Sequence, residues 1–479
     1  MSNSYDAFYI GGKWAKPASS SRFHLINAAT EEEIGSVPEA SNADIDRAVA
    51  AARHAFDHSG WAALPAADRA AALKRFVAAL SKRSPDLARA VSSQNGMPIG
   101  LSQMLEGQFS IGLVDYYAGL ATSVQAEEKR PSQMGTETIV TRRPIGVVAA
   151  IVPWNFPVTL ALSKIAPALA AGCTVVVKPS PGTILDSYVM AEAAQEAQIP
   201  AGVINWVAAD RDVGAYLVAH PGVDKVAFTG STAAGKLIAR TCGELLRPVT
   251  LELGGKSAAI ILDDADLNAV MQGLPMASLL NNGQACYNGT RVLAPESRYA
   301  EVVEALAGLA SSLVVGDPLD PATHVGPMAS SAHRDRVESY IAKGKTEARL
   351  VAGGGRPKGQ ARGWFVQPTV FADVDNSAVI AQEEIFGPVL SVIKYKDDAD
   401  AVRIANDSAF GLGGSVWTSS RERGLSVAKG VFTGTIGING YLPSIGSPFG
   451  GVRGSGLGRE LGPEAIDGYL QYKSTYVFG

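Results

Sequence analysis

From residue 145 onward the sequence alternates short apolar runs with longer amphipathic segments, and this pattern most narrows what the chain can fold into. Residues 145–152 form an almost continuous apolar run, as expected of a strand buried on both faces. The periodicity then predicts helix over 159–171, strand over 173–178 and helix over 183–197. Strands follow at 203–208, 225–229 and 248–251, with helices at 212–219 and 233–246 between them. Such alternation implies a parallel, doubly wound sheet that presents its ligands at the carboxyl ends of the strands. The pattern then resumes. Strands are predicted at 257–262, 290–294, 366–371 and 389–394, and helices at 266–280, 297–313, 330–346 and 398–407. With 479 residues the chain is too long for one core and should divide into two or three parts.

The regions around this pattern are less regular. Residues 8–14 read as two short strands joined by a Gly-Gly turn. Residues 41–58 and 66–93 are alanine-rich helices, the first capped by Ser41 or Asn42. A further helical stretch at 107–124 precedes a loop at 125–136 that contains Pro131 and Gly135. Residues 136–143 alternate at period two and read as a protruding ribbon. Glycine clusters at 411–415, 447–451 and 454–460 read as loops, and 469–478 as a last strand. Residues 158–177 are nearly all apolar, but Lys164 and Pro167 interrupt them, so a buried helix and strand are expected rather than a membrane span.

Charge gives no case for nucleic acid or membrane binding: 42 Lys and Arg stand against 46 Asp and Glu, a net charge of −4. The three cysteines, Cys173, Cys242 and Cys286, are odd in number and far apart, which points away from disulfides and toward a reducing, cytoplasmic setting. The polar start, Met1 to Asp6, lacks the regions of a signal peptide. Six scattered histidines without H-x-x-x-H or C-x-x-C spacing argue against a metal site.

Two stretches carry chemistry. Cys286 sits in Asn281-Asn282-Gly283-Gln284-Ala285-Cys286, among small and turn-prone residues. Alone it reads as a buried core thiol sooner than as a nucleophile. Glu252 lies in Leu251-Glu252-Leu253-Gly254-Gly255-Lys256, and a carboxylate in such apolar company tends to a raised pKa suited to a base. At strand ends stand Pro153-Trp154-Asn155-Phe156-Pro157, Lys178-Pro179-Ser180 and Phe228-Thr229-Gly230-Ser231-Thr232. Asn155 is either a turn residue or an amide donor to an oxyanion. Lys178 is either an ordinary strand-end lysine or a ligand contact. Gly230 and Gly235 serve either as turn and packing glycines or as a floor for a phosphate, and their spacing is neither G-x-G-x-x-G nor a P-loop.

These motifs, with Glu383-Glu384-Ile385-Phe386-Gly387-Pro388 and Ser447-Pro448-Phe449-Gly450-Gly451, give the chain a resemblance to the NAD(P)-dependent aldehyde dehydrogenases over nearly its whole length, in the family's order. The resemblance implies a Rossmann-like cofactor domain (1–124 and 145–252), an α/β catalytic domain (253–455) and a β-ribbon for oligomers (125–144 and 465–479). It implies a homodimer or homotetramer. It makes Cys286 the nucleophile on the aldehyde carbon, Asn155 with the Cys286 N–H the oxyanion holder, and Glu252 the base that activates water to hydrolyse the thioester. Cofactor contacts fall to Trp154, Lys178, Ser180, Gly230, Ser231, Glu384 and Phe386. Glu460 matches a position that relays protons from Glu252 in some members.

The chain departs from the family in places. Pro181 stands where many NAD-preferring members carry glutamate, which implies NAD with NADP also accepted and less than a hundredfold discrimination, about 2.7 kcal/mol. Gln94 replaces a frequent glutamate and carries no expected function. The substrate pocket is expected from Phe156, Thr159, Ser163, Leu280, Ala285, Tyr287, Tyr441 and Pro443, roomy because Thr159 and Ser163 are small. Two rivals remain at this level: an acylating relative that passes the thioester to coenzyme A, which tends to lack the glutamate matching Glu252, and a non-catalytic binding or structural protein on the same scaffold.

Overall fold

A computed structural model describes residues 4–478, so Met1 to Asn3, where the polar start begins, lie outside the described residues. Two sheets dominate. The first has eight strands, whose central five are parallel in the order Val249–Glu252, Lys225–Thr229, Val147–Ile151, Thr174–Lys178, Ile204–Trp206. The hairpin Phe8–Ile10 and Lys13–Ala15 extends one edge antiparallel. Strands such as Val147–Ile151 and Thr174–Lys178 are buried throughout, since helices cover both faces. The apolar stretch at 158–177 is the helix Pro157–Ala171 followed by Thr174–Lys178. No described helix is long and apolar enough to cross a membrane.

The second sheet has seven strands, ordered Arg349–Ala352, Thr369–Ala372, Val389–Tyr395, Arg291–Pro295, Ala258–Ile261, Gly414–Trp417, Gly437–Ile438. Gly414–Trp417 overturns the loop expected at 411–415. The glycines Gly411, Gly413 and Gly414 hide a strand that pairs in parallel with Ala258–Ile261 on one side and Gly437–Ile438 on the other. The tail also returns to the first sheet. Gly456–Leu457 pairs antiparallel with Val249–Glu252, setting Gly456 opposite Glu252. This crossing brings residues 449–461 beside the strand that carries the expected base.

A third sheet corrects the reading of 125–144. Residues Glu127–Pro131 form a strand rather than a loop, because their charged side chains leave the backbone free to pair with Glu137–Pro144. Glu137–Pro144 lies between that strand and Leu470–Val477, so it is the centre of the sheet and not an open edge. A small hairpin of Arg22–Ile26 and Glu33–Pro38 escapes the sequence pattern, since charged and polar residues blur its alternation.

Candidate active site

The Cys286 loop follows the helix Leu267–Ser278 and turns through three consecutive left-handed residues: Asn281 (φ 50°), Asn282 (φ 60°) and Gly283 (φ 80°). Asparagine tolerates this region better than other side-chain-bearing residues. Glycine is required at 283, where a Cβ would stand 2.1 Å from the Gly387 carbonyl carbon. Side-chain amides then pin the turn. Asn282 Nδ2 donates to the carbonyls of Gly96 (2.8 Å) and Pro327 (3.0 Å), while its Oδ1 accepts from Gly326 N (2.7 Å). Gln284 Oε1 accepts from Ala329 N (2.9 Å). Asn155 Nδ2 donates to the Gln284 carbonyl (2.9 Å), and the Asn155 carbonyl accepts from Asn95 Nδ2 (3.0 Å) and Asn281 Nδ2 (2.8 Å). Sequence reasoning passes over Asn95 and gives Asn282 and Gln284, quoted beside the cysteine, no role. The signal that could reveal the last two is the run Asn-Asn-Gly-Gln itself, four turn-prone or amide residues with nothing apolar to bury.

Two cavities meet at Cys286. The larger, about 710 Å³, is an open cleft with walls of Trp154, Thr229, Ser231, Leu253, Glu384 and Phe386. The smaller, about 80 Å³, is a narrow channel between Leu105, Phe109, Phe156, Leu160, Leu442 and Phe449. Cys286 and Asn155 lie on the walls of both. The thiol is half-buried, and burial, then the carboxylates of Glu384 and Glu252, push its pKa far above the ordinary thiol value. It rests as a neutral thiol and needs a base to become a nucleophile.

Glu252 is 2% exposed, and neither of its carboxylate oxygens has a hydrogen-bond partner. Burial raises its pKa well above the carboxylate range, the neighbouring Glu460 raises it further, and Lys164 and Arg459 oppose them. Gly450 gives this carboxylate room: a Cβ there would stand 2.7 Å from Glu252 Oε1. Glu460 is fully partnered by contrast, bonded to Lys164 Nζ (2.7 Å) and Ser163 Oγ (2.9 Å), with Lys164 also donating to Thr229 Oγ1 (2.6 Å). Glu384 accepts from Gly255 N (3.0 Å), and burial lifts its carboxyl to about 7. Phe386 holds a left-handed φ of 65°, fixed where His333 Nε2–H donates to its carbonyl (2.7 Å) and Arg336 donates to the Glu384 carbonyl (2.8 Å). Burial takes His333 down to about 4, so it is neutral. Its ring and that of Phe386 meet Trp154 edge-on at 5.0 and 5.4 Å.

The cleft suits a dinucleotide. Gly230 and Ser231 line it where the helix Thr232–Glu244 begins, so first-turn N–H groups face the space a diphosphate would take. Lys178 and Ser180 lie outside the cleft lining: Lys178 Nζ donates to the Pro179 carbonyl (3.1 Å), and Ser180 Oγ accepts from Gly182 N (3.4 Å). Burial lowers Lys178 to about 8, against the pull of Asp210. Of the expected pocket, Phe156, Thr159, Ser163, Tyr287 and Pro443 line the channel, whereas Leu280, Ala285 and Tyr441 do not. The channel is also narrow rather than roomy, about 80 Å³, with Leu105, Phe109 and Leu442 on its walls beside small Thr159 and Ser163. Gln94 anchors a helix start, since its Oε1 accepts from Ile184 N (2.8 Å) and Leu185 N (3.1 Å) where the helix Leu185–Glu196 begins. Among the described residues no group of His, Cys, Asp and Glu is placed to hold a metal ion.

A dinucleotide-sized cleft on a doubly wound sheet, meeting an apolar channel at a thiol, marks an α/β oxidoreductase. The pattern of the aldehyde dehydrogenase family matches residues 14–475. Geranial dehydrogenase of Castellaniella defragrans is 60% identical over 479 residues, covering 100% of both chains. The 3-succinoylsemialdehyde-pyridine dehydrogenase of a Pseudomonas species is 41% identical, covering 98% of both. Among solved structures, a Mycobacterium tuberculosis aldehyde dehydrogenase complexed with NAD+ superposes with a TM-score of 0.97 at 47% identity, covering 100% of this chain and 99% of that one. A mutant of aldehyde dehydrogenase C from Pseudomonas syringae, complexed with NAD+ and octanal, gives 0.95 at 40%, covering 99% and 97%. The chain belongs to the aldehyde dehydrogenase family, and it is an oxidoreductase of aldehydes.

Proposed function

We propose that this enzyme oxidises an apolar aldehyde to its carboxylic acid with NAD, through a thioester on Cys286. The observation that carries the reading is the position of Cys286 and Asn155 on the walls of both cavities, within the electrostatic reach of Glu252. The aldehyde enters by the channel, and Cys286 adds to its carbonyl carbon as the thiolate, the thiol proton leaving to solvent through the open cleft. The Asn155 amide and the Cys286 N–H stabilise the resulting oxyanion. Trp154, Gly230, Ser231, Glu384 and Phe386 would hold NAD in the cleft, with Lys178 and Ser180 as the further contacts that the family resemblance implies. NAD, when bound, accepts the hydride that leaves the carbonyl carbon as the thioester forms. Glu252 then takes a proton from water, which attacks the thioester and releases the acid. Its raised pKa makes it a stronger base for that step, and Glu460 with Lys164 offers the next stop for the proton. The presence of Glu252 favours water over coenzyme A as the acceptor.

The division into a cofactor domain (1–124, 145–252), a catalytic domain (253–455) and an oligomerisation ribbon (125–144, 465–479) belongs to the same proposal. So does a homodimer or homotetramer. Its support is the third sheet, whose outer strands Glu127–Pro131 and Leu470–Val477 are open and carry Tyr472 (58% exposed) and Tyr476 (66%). A reducing, cytoplasmic setting is proposed from the three free cysteines.

The apolar channel supports the substrate class, and geranial dehydrogenase and the octanal complex are consistent with it. The test is a panel of geranial, octanal, propanal and betaine aldehyde, followed by absorbance of reduced NAD. Higher kcat/KM for geranial and octanal than for betaine aldehyde is expected. Preference for the cationic aldehyde would overturn the substrate class, and no activity on any would overturn the reaction.

A further inference from the structure

One wall of the channel comes from a segment that no motif marks. Before the helix Ser110–Ala121 the backbone makes a π-helical turn, Gln103–Phe109. Such turns are rare and gather at functional sites. Leu105 and Phe109 of this turn line the channel, and Glu106 between them reaches the start of the helix Pro157–Ala171. That helix cannot cap itself. Pro157 at its first position has no N–H, and Phe156 before it offers no side-chain acceptor. Glu106 supplies the missing acceptor: Oε2 accepts from Val158 N at 2.8 Å, and both oxygens stand 3.4 Å from Thr159 N. Thr159 Oγ1 returns a bond to the Leu105 carbonyl (2.9 Å), and Ser110 Oγ donates to the Glu106 carbonyl (2.5 Å). Glu106 has no solvent-exposed surface. Burial raises its carboxyl to about 7 despite the bonds from Thr159 and Val158, so it is held in place at a real desolvation cost. The two residues just before this helix start are Asn155 and Phe156, one at the thiol and the other on the channel wall.

We propose that Glu106 is a positioning residue that sets the width of the substrate channel, and with it the chain-length preference for aldehydes, by fastening Leu105 and Phe109 to the first turn of the helix that follows Asn155. The proposal rests on the aldehyde-oxidising reading above. A purely structural role would lower thermal stability and leave the relative rates of short and long aldehydes unchanged. Removing the carboxylate leaves the first-turn N–H groups without a partner and frees the π turn to move against the helix.

The experiment measures kcat/KM for unbranched aldehydes from propanal to decanal, with NAD, in the wild type, Glu106→Ala, Glu106→Gln and Thr159→Val. Melting curves and the KM for NAD are recorded alongside. In Glu106→Ala the decanal-to-propanal ratio should shift by about fivefold or more, within the range that channel contacts of a few methylenes command, while the KM for NAD holds. Glu106→Gln, whose amide oxygen still accepts from Val158 N, should keep a ratio close to that of the wild type. An unchanged ratio in soluble Glu106→Ala would overturn the proposal. If Glu106→Ala does not fold, Thr159→Val, which loses the hydroxyl's bonds to Leu105 and Glu106 while keeping nearly the same volume on the channel wall, must shift the ratio, and an unchanged ratio there overturns it equally. A wild type inactive on every aldehyde would overturn the functional reading and this proposal with it.

Discussion

The two cavities that meet at Cys286 are built in opposite ways. The cleft is made of loops at the carboxyl ends of strands: Trp154 after Val147–Ile151, Gly230 and Ser231 after Lys225–Thr229, Leu253 and Gly254 after Val249–Glu252. These walls are short contiguous motifs shaped by backbone, and the helix Ser331–Glu347 closes the cleft opposite them with His333, Arg336 and Tyr340. The channel is made of single side chains from distant places: Leu105 and Phe109 from a π turn, Thr159 and Leu160 from a helix, Leu442 and Phe449 from the tail. Its shape follows from packing. Chemistry common to many substrates can therefore stay fixed on one side of Cys286 while specificity changes on the other.

If the two sides are separable, substitutions should divide between them. The largest effect is expected at the thiol they share. Cys286→Ser should remove aldehyde oxidation by several orders of magnitude while NAD still binds, since an alcohol is a poor nucleophile at neutral pH. Steady-state assay and NAD titration check this, and near wild-type turnover would rule out the covalent route. Asn155→Ala should cost about 3 kcal/mol of barrier, the usual loss of one oxyanion donor. That loss should appear equally for short and long aldehydes, because Asn155 serves the carbonyl and not the chain; kcat/KM across the two lengths measures it.

A channel substitution should behave differently. Thr159→Trp should lower kcat/KM for octanal by about 10–100-fold, as filling a pocket does, and leave the KM for NAD unchanged. A parallel loss of NAD binding would show that the cavities are not independent. Pro181→Glu should have the smallest effect and touch only the cleft side. A carboxylate at 181 would repel a 2′-phosphate and raise the ratio of NAD to NADP efficiency by about tenfold, about 1.4 kcal/mol. The ratio of kcat/KM for the two cofactors in both proteins measures it.

How much of the molecule can be read in its sequence follows the same divide. Most of the parallel strands, the helices between them and Cys286, Glu252 and Asn155 lie in contiguous patterns, so periodicity and motif order are enough to find them. Leu105, Phe109 and Leu442 have no local signature: an apolar residue on a helix or in a loop looks the same whether it faces a core or a channel. The strand Gly414–Trp417 is hidden because the glycines at its start and just before it read as a loop until its two neighbours are in place. The strand Glu127–Pro131 is hidden because its charges mask any apolar face. Glu106 is the sharpest case: a lone acid on a helical stretch reads as solvent-facing, and only the proline at the start of a helix far along the chain gives it a reason to be buried.

The central claim is that an acyl group rests covalently on Cys286 before Glu252 directs water to it, and Glu252→Gln tests this most directly. The variant is mixed with NAD and octanal under rapid mixing, and its intact mass is recorded at the end of the first turnover. Because the amide removes only the base, hydride transfer should outrun hydrolysis: reduced NAD should appear in a burst of about one per subunit, and the protein should gain the mass of an octanoyl group that is absent in Cys286→Ser. Steady turnover with neither a burst nor a mass increase would contradict the claim.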